Sequence, residues 1–201
     1  MNLTPRNIAL RIPEGKLGAR LYRSESARLL GIVACTGQPP AADAVTNVLL
    51  QHGHAVLTID LLTPDEAHFI RSEGNAPLLA QRLIRLLDFI RDDGDTAHLA
   101  LGIFARGHAA PAAIRAAAQR DVAVRAVVAN GGLIDHAGLE YLEALVAPLL
   151  VLCDEGDPSA EIAARRAVAH IGAPWEIRTI NEGSAASQVT AWFEHWIDLR
   201  S

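Results

Sequence analysis

The stretch Gly102-Ile103-Phe104-Ala105-Arg106-Gly107-His108-Ala109-Ala110 carries the densest chemical signal in the chain. An apolar run ends there and a helical pattern begins at once, with small residues two places either side of Gly107. This is the form of a nucleophile elbow, a strand-to-helix turn that strains one residue's backbone and requires small neighbours. The apex residue of such a turn supplies an attacking hydroxyl or thiol, and Gly107 has no side chain to supply either. Arg106 beside it is a forked donor for an anion or the partner of a nearby carboxylate. His108 is a base, a ligand contact or a solvent-facing helix-start residue. Cys35, at the end of an apolar run, reads as a small buried residue rather than a nucleophile, and Cys153 reads the same way. His52 and His54 have the spacing of a metal pair, but they fall between a helix and a strand and are read as solvent-exposed turn residues. Neither metal nor cofactor is expected.

Elements must position these residues, and the hydrophobic patterning predicts them in alternation. Residues 7–12 and 17–22 read as two strands joined by the turn signal Pro13-Glu14-Gly15. Residues 29–35 (LLGIVAC) form a nearly uninterrupted apolar run, as expected of a strand covered on both faces. A turn at Thr36-Gly37-Gln38-Pro39-Pro40 leads to a helix over 41–52 and a strand over 55–59. A helix over 76–91 places Leu79, Leu83, Leu86, Leu87 and Ile90 on one broad face. A strand over 98–104, an alanine-rich helix over 108–119, and strands over 122–129 and 149–153 follow. A helix over 158–171, a strand over 175–180 and a closing helix over 188–199 complete the chain, with Trp192, Phe193 and Trp196 read as core or dimer contacts. A hairpin followed by strand-helix units predicts an α/β fold: a mostly parallel sheet flanked by helices on both faces. Residues 1–201 read as a single domain. The short connection Asn130-Gly131-Gly132-Leu133-Ile134-Asp135 leaves little room for a cap domain.

Composition excludes several classes. Half of the 201 residues are hydrophobic and 20% charged, which fits neither disorder nor a fibrous protein. The net charge of −5, with Lys16 the one lysine among 18 basic residues, offers no broad field for nucleic acid. Two cysteines cannot build a disulfide framework, and CxxC zinc spacing is absent. The opening residues lack the apolar core of a signal peptide, and no run approaches a membrane span, so a cytoplasmic location without membrane partners is expected.

The elbow resembles that of the α/β-hydrolase fold, specifically the small dienelactone-hydrolase-like members. The resemblance covers nearly the whole chain. It includes the apolar strand before Thr36-Gly37-Gln38, then Asp60-Leu61-Leu62-Thr63, then Ala147-Pro148-Leu149-Leu150-Val151-Leu152 leading to Asp157-Pro158. It implies a serine or cysteine at the apex, an acid after the strand ending at Cys153, and a histidine after the last strand. Gly107 replaces the first. Asp157 fits the second, although an aspartate before Pro158 is also a good helix N-cap, the role favoured for it. The segment Asn181-Glu182-Gly183-Ser184-Ala185-Ala186 contains no histidine.

A degenerate triad predicts a non-catalytic hydrolase-fold protein that binds or interacts at the old site. The alternative is a dienelactone-hydrolase-like esterase with relocated residues, Cys35 and His108 being the replacement pair. The main-chain part of the site survives without side chains. The resemblance implies an oxyanion hole from the N–H groups of His108 and Gln38. Gln38, Arg106 and His108 are therefore the expected contacts of a small anionic ligand, with a homodimer left open.

Overall fold

The computed structural model describes residues 4–23, 26–37, 43–68, 74–120, 124–181 and 183–198. The hairpin forms as expected: β1 (Arg6–Ile12) and β2 (Gly15–Tyr22) pair antiparallel, each alternating exposed and buried positions. Gly15 closes the turn with φ +138°. In contrast, β3 (Leu29–Cys35), β4 (Ala55–Asp60), β5 (Ala100–Arg106), β6 (Val124–Asn130) and β7 (Leu149–Asp154) are buried almost end to end. Parallel strands covered on both faces have this unbroken apolar character. With β8 (Trp175–Ile180) they form one eight-stranded sheet in the order β1-β2-β4-β3-β5-β6-β7-β8, parallel from β4 through β8.

Helices cover both faces. On one side α1 (Ala44–Gln51) and α6 (Ala185–Asp198) pack on Val33, Phe104, Val128 and Leu150. On the other, α2 (Ala76–Asp92), α3 (Ala109–Gln119), α4 (Leu139–Ala144) and α5 (Pro158–Val168) enclose the larger core. Between β6 and β7 the chain holds only a 3-10 turn (Ile134–Ala137) and α4, so no cap covers the carboxyl edge there.

Several boundaries differ from the sequence reading, by three residues at most. Strand β5 begins at Ala100, because Leu99 still belongs to a turn in which its N–H bonds the Thr96 carbonyl and the Thr96 hydroxyl bonds that of Ile90. Helix α5 stops at Val168, since His170 and Ile171 bond three residues back and tighten the chain out of the helix. Helix α6 starts at Ala185 rather than 188.

Two glycines decide how close the helices come. Gly31 and Gly102 are paired in register at the centre of the sheet. A Cβ on Gly102 would lie 2.8–2.9 Å from three ring atoms of Phe193, and one on Gly31 would lie 2.8 Å from Leu49 Cδ1. Phe193 and Leu49 are both fully buried. The glycines thus form a notch that seats α6 through Phe193 and α1 through Leu49. Phe193 and Trp192 are core, as the helical spacing suggested.

A buried ion pair fixes the turn after β4. Thr63 and Glu66 form a capping box: the carboxylate accepts from the Thr63 N–H (2.9 Å) and the Thr63 hydroxyl accepts from the Glu66 N–H (3.3 Å). Arg82 of α2, 1% exposed, grips Glu66 with both terminal nitrogens and donates to the Leu61 carbonyl. Hydrogen bonding from Arg82, reinforced by Thr63, outweighs burial and lowers the Glu66 carboxyl to about 2.

Two predictions follow. Gly102→Ala should cost about 1–3 kcal/mol by chemical denaturation, because a methyl group must displace a ring with nowhere to move. Combined with Phe193→Leu, it should cost less than the sum of the single changes if the ring is the obstacle. For Glu66, a folded value below the ordinary 4.5 means its stabilisation is full above about pH 4.5 and is lost as the pH falls toward 2. Glu66→Gln should lower stability at neutral pH and flatten that acid limb, as read by denaturation at stepped pH.

Candidate functional site

Strand β5 ends at Arg106 and α3 starts at Ala109, so the chain reverses within two residues. Gly107 makes the turn at φ +52°, in the left-handed region that side chains disfavour. Main-chain contacts hold it there. Its N–H donates to the Asn130 carbonyl at 2.9 Å, and its own carbonyl accepts from the Ala110 N–H at 3.1 Å. The following loop clamps it from outside. Gly131 and Gly132 both have positive φ, and a Cβ on Gly132 would stand 2.2 Å from the Gly107 carbonyl oxygen. Above Gly107 itself a Cβ would meet nothing within 4 Å. The elbow therefore has its shape and has open space at its apex.

Arg106 lies on the same face of β5 as Phe104, its guanidinium carbon 4.9 Å from that ring's centroid. It donates to Asp43, the N-cap of α1, whose other oxygen accepts from the Thr46 N–H at 3.2 Å. The Asp43 side chain is 4% exposed and that of Arg106 is 41% exposed. One terminal nitrogen of the fork is thus committed to a buried carboxylate, while the guanidinium still meets solvent. The sequence left Arg106 open between an anion donor and the partner of a carboxylate, and did not single out Asp43. The signal was an Asp three residues before a Thr at a helix start.

His108 stands exposed as the N-cap position of α3 and makes no side-chain capping bond. Gln38 lies outside the described residues. At the end of β4, Asp60 accepts from the N–H groups of Leu62 (2.9 Å) and Gly37 (3.2 Å), tying the turns after β4 and β3 together. Gly37 is also at positive φ, so glycine turns follow β3, β5 and β6 along one edge of the sheet.

The remaining candidates are structurally occupied. Asp157 accepts from the Ala160 N–H at 3.0 Å and Pro158 follows it, the N-cap arrangement. The part-buried Cys35 thiol is directed at the Ile59 carbonyl, 3.7 Å away. Burial, with Glu161, Asp157 and Asp154 adding like charge, pushes the Cys153 thiol up and leaves it a poor nucleophile. Beyond β8, Asn181 accepts the Ser184 N–H through its carbonyl, and no imidazole is available from that turn. His52 and His54 lie at the opposite edge: His52 is exposed in the turn, as read from the sequence, but the reading of His54 as exposed needs correction. The His54 side chain is only 16% exposed, and both rings bond Glu194.

These contacts rank two substitutions. Gly132→Ala should be the more damaging, because its methyl would collide with the elbow's carbonyl at a backbone angle that itself disfavours a side chain. Gly107→Ser should fold, at a cost of about 1–3 kcal/mol for the strained backbone, and should not gain substantial esterase activity. Denaturation midpoints and hydrolysis of an activated ester test both. Robust turnover by Gly107→Ser would reveal a base, with His108 the first suspect.

No protein-family model matches the chain. Among solved structures it superposes on a dienelactone hydrolase from Anabaena variabilis with a TM-score of 0.87 and 27% identity, covering 98% of this chain and 99% of that one. Est1E from Butyrivibrio proteoclasticus follows at a TM-score of 0.78 and 10% identity, covering 96% and 99%. Among curated proteins, two from Mycobacterium tuberculosis strains named "Putative phosphoribosyl transferase" are each 43% identical over 108 residues, 54% of this chain. That match spans about a quarter (24%) of the relatives' length. Sheet order, elbow and structural likeness over nearly the whole chain agree: this is an α/β-hydrolase fold of the dienelactone-hydrolase-like type.

Proposed function

We propose that this chain is a hydrolase-fold protein that binds a small anion at the old active site without cleaving a substrate there. The observation that carries the reading is Gly107: the elbow's backbone is formed, its apex is open, and nothing on it can attack. A carboxylate or phosphate oxygen at that point would approach the main chain more closely than any side chain would allow. It would meet the N–H after the elbow, that of His108, and the start of α3 behind it. Arg106 supplies charge. The ligand must compete with Asp43 for the guanidinium, which makes affinity depend on that carboxylate.

The relatives' name adds a ligand class to try. The named transferase activity does not carry over to a chain spanning a quarter of those proteins, but a phosphorylated sugar is an anion of the right chemistry. The competing reading is a hydrolase with relocated residues, supported by the hydrolases among its structural neighbours. In it the Cys35 thiol attacks and His108 takes the proton.

Titration with acetate, inorganic phosphate and ribose 5-phosphate, by calorimetry or NMR, should give saturable binding. Arg106→Ala should weaken it about tenfold or more, the usual scale of a charge-assisted hydrogen bond. Asp43→Asn should tighten it, since asparagine still caps α1 while releasing the guanidinium. A parallel panel of activated esters and lactones should show no saturable turnover. Turnover that disappears in Cys35→Ala would replace the binding reading with the relocated thiol.

A further inference from the structure

The edge of the sheet opposite the elbow holds a second cluster with its own chemistry. Helix α1 ends in a Schellman motif: the Gly53 N–H bonds the Leu50 carbonyl and the His54 N–H bonds that of Leu49, both at 3.0 Å. Gly53 takes φ +80° to make it. This left-handed step folds the chain back so that His52 and His54, on either side of the glycine, reach the same point. Glu194 of α6 stands there, directly after the Phe193 that the glycine notch seats. His52 Nδ1 lies 3.0 Å and His54 Nε2 2.9 Å from a single carboxylate oxygen, Glu194 Oε1. All three donor atoms lie within 4.8 Å of one another.

We propose that His52, His54 and Glu194 form a binding site for a borderline divalent transition metal, Zn2+ in the first instance. Two imidazole nitrogens and a carboxylate oxygen are the donor types such an ion takes. Zn–N and Zn–O bonds of about 2.0–2.1 Å in a tetrahedron separate neighbouring donors by roughly 3.3 Å. The two N···O separations here are already a few tenths of an ångström below that. The two nitrogens close on the ion by rotation of His52, whose side chain is 49% exposed and has room to turn.

Burial acts to raise the Glu194 carboxyl, but hydrogen bonds from His54 and His52 together outweigh it and hold the group below its ordinary range. Without metal, ring N–H groups bond the carboxylate. With metal, the lone pairs of His52 Nδ1 and His54 Nε2 turn to the ion, and each ring carries its proton on the other nitrogen. No oxidation or reduction is involved. Three protein ligands leave a fourth position. A cavity of about 190 Å3, lined by His54, Glu194, Arg28, Leu29 and Ile197, gives space there for water or an outside ligand. The ion would cross-link the α1–β4 turn to the C-terminal helix, joining the two elements that the notch already brings together.

The alternative is a hydrogen-bonded clip without metal, and metal titration separates the two. The full chain, stripped with a chelator, is titrated with ZnCl2 against a zinc indicator and with CoCl2 under visible absorption. The expected results are one Zn2+ per chain at micromolar affinity or tighter, a raised Tm, and the intense visible bands of low-coordinate Co2+. His54→Ala and Glu194→Gln should each weaken Zn2+ about tenfold or more. His52→Ala, at an exposed position whose loss the fold tolerates, should do the same. His170→Ala, an exposed histidine elsewhere, should change nothing. Failure to form a one-to-one complex, or binding that survives all three cluster variants, would reduce the cluster to a clip and overturn the assignment.

Discussion

The approach of one aromatic ring to two glycines governs the rest of this molecule. Phe193 can be fully buried only because Gly102 presents no Cβ beneath it, and Leu49 comes close only because Gly31 presents none. A methyl group at either position would sit inside contact distance, so α1 and α6 would ride higher on the sheet. Everything on that face inherits the setting. Asp43 at the start of α1 reaches Arg106 on β5, while at the other end of the helix His52 and His54 reach Glu194, one residue beyond Phe193. The same packing therefore sets the geometry at both edges of the sheet.

The elbow depends on a different kind of support. Its donors and acceptors are main-chain groups: the Gly107 N–H to Asn130, its carbonyl to Ala110, and the Gly132 backbone against that carbonyl. A hydrolase site splits naturally into a backbone part, which shapes the oxyanion position, and a side-chain part, which attacks and moves protons. In this chain the elbow's backbone is formed, while Gly107, the helix cap Asp157 and a turn without histidine stand where the resemblance implies the side-chain part. Beside the open apex stands one guanidinium bonded to a buried carboxylate.

Much of this was legible in the sequence, and the exceptions have physical reasons. The apolar runs and the hairpin signal led directly to the sheet, because burial on both faces leaves a continuous hydrophobic stretch. The elbow was readable because a glycine with alanines two places either side, at a strand-helix junction, is the pattern such a turn requires. Asp157-Pro158 announced its cap. Side-chain partners were less accessible. Asp43 pairs with Arg106 across 63 positions and Glu194 with His54 across 140, and periodicity says nothing about such distant contacts. His52 and His54 looked exposed because a Gly between two histidines reads as a turn. The turn is real, but its left-handed step brings both rings to Glu194 of α6, leaving His52 half exposed and His54 mostly buried. The Arg82–Glu66 pair went unread for a similar reason: an arginine on an apolar helix face looks like a solvated residue until its partner is known.

Survival of the elbow's shape is therefore weak evidence for survival of its chemistry. A serine or cysteine at φ +52° would carry backbone strain of about 1–3 kcal/mol, which a working enzyme retains because the strain aims its nucleophile. Glycine adopts the same angle without a Cβ clash, so the substitution removes the attacking group and relieves the strain together. Nothing in the surrounding structure then pushes the turn to relax, because its hydrogen bonds run through backbone atoms that glycine still provides. A chain that had lost its nucleophile this way would keep a well-formed elbow for reasons of stability alone. What separates a vestige from a binding site is whether the open apex draws an anion away from water against the pull of Asp43 on Arg106. On the binding reading proposed above, that balance of charge, rather than the fold, decides the function of this edge of the sheet.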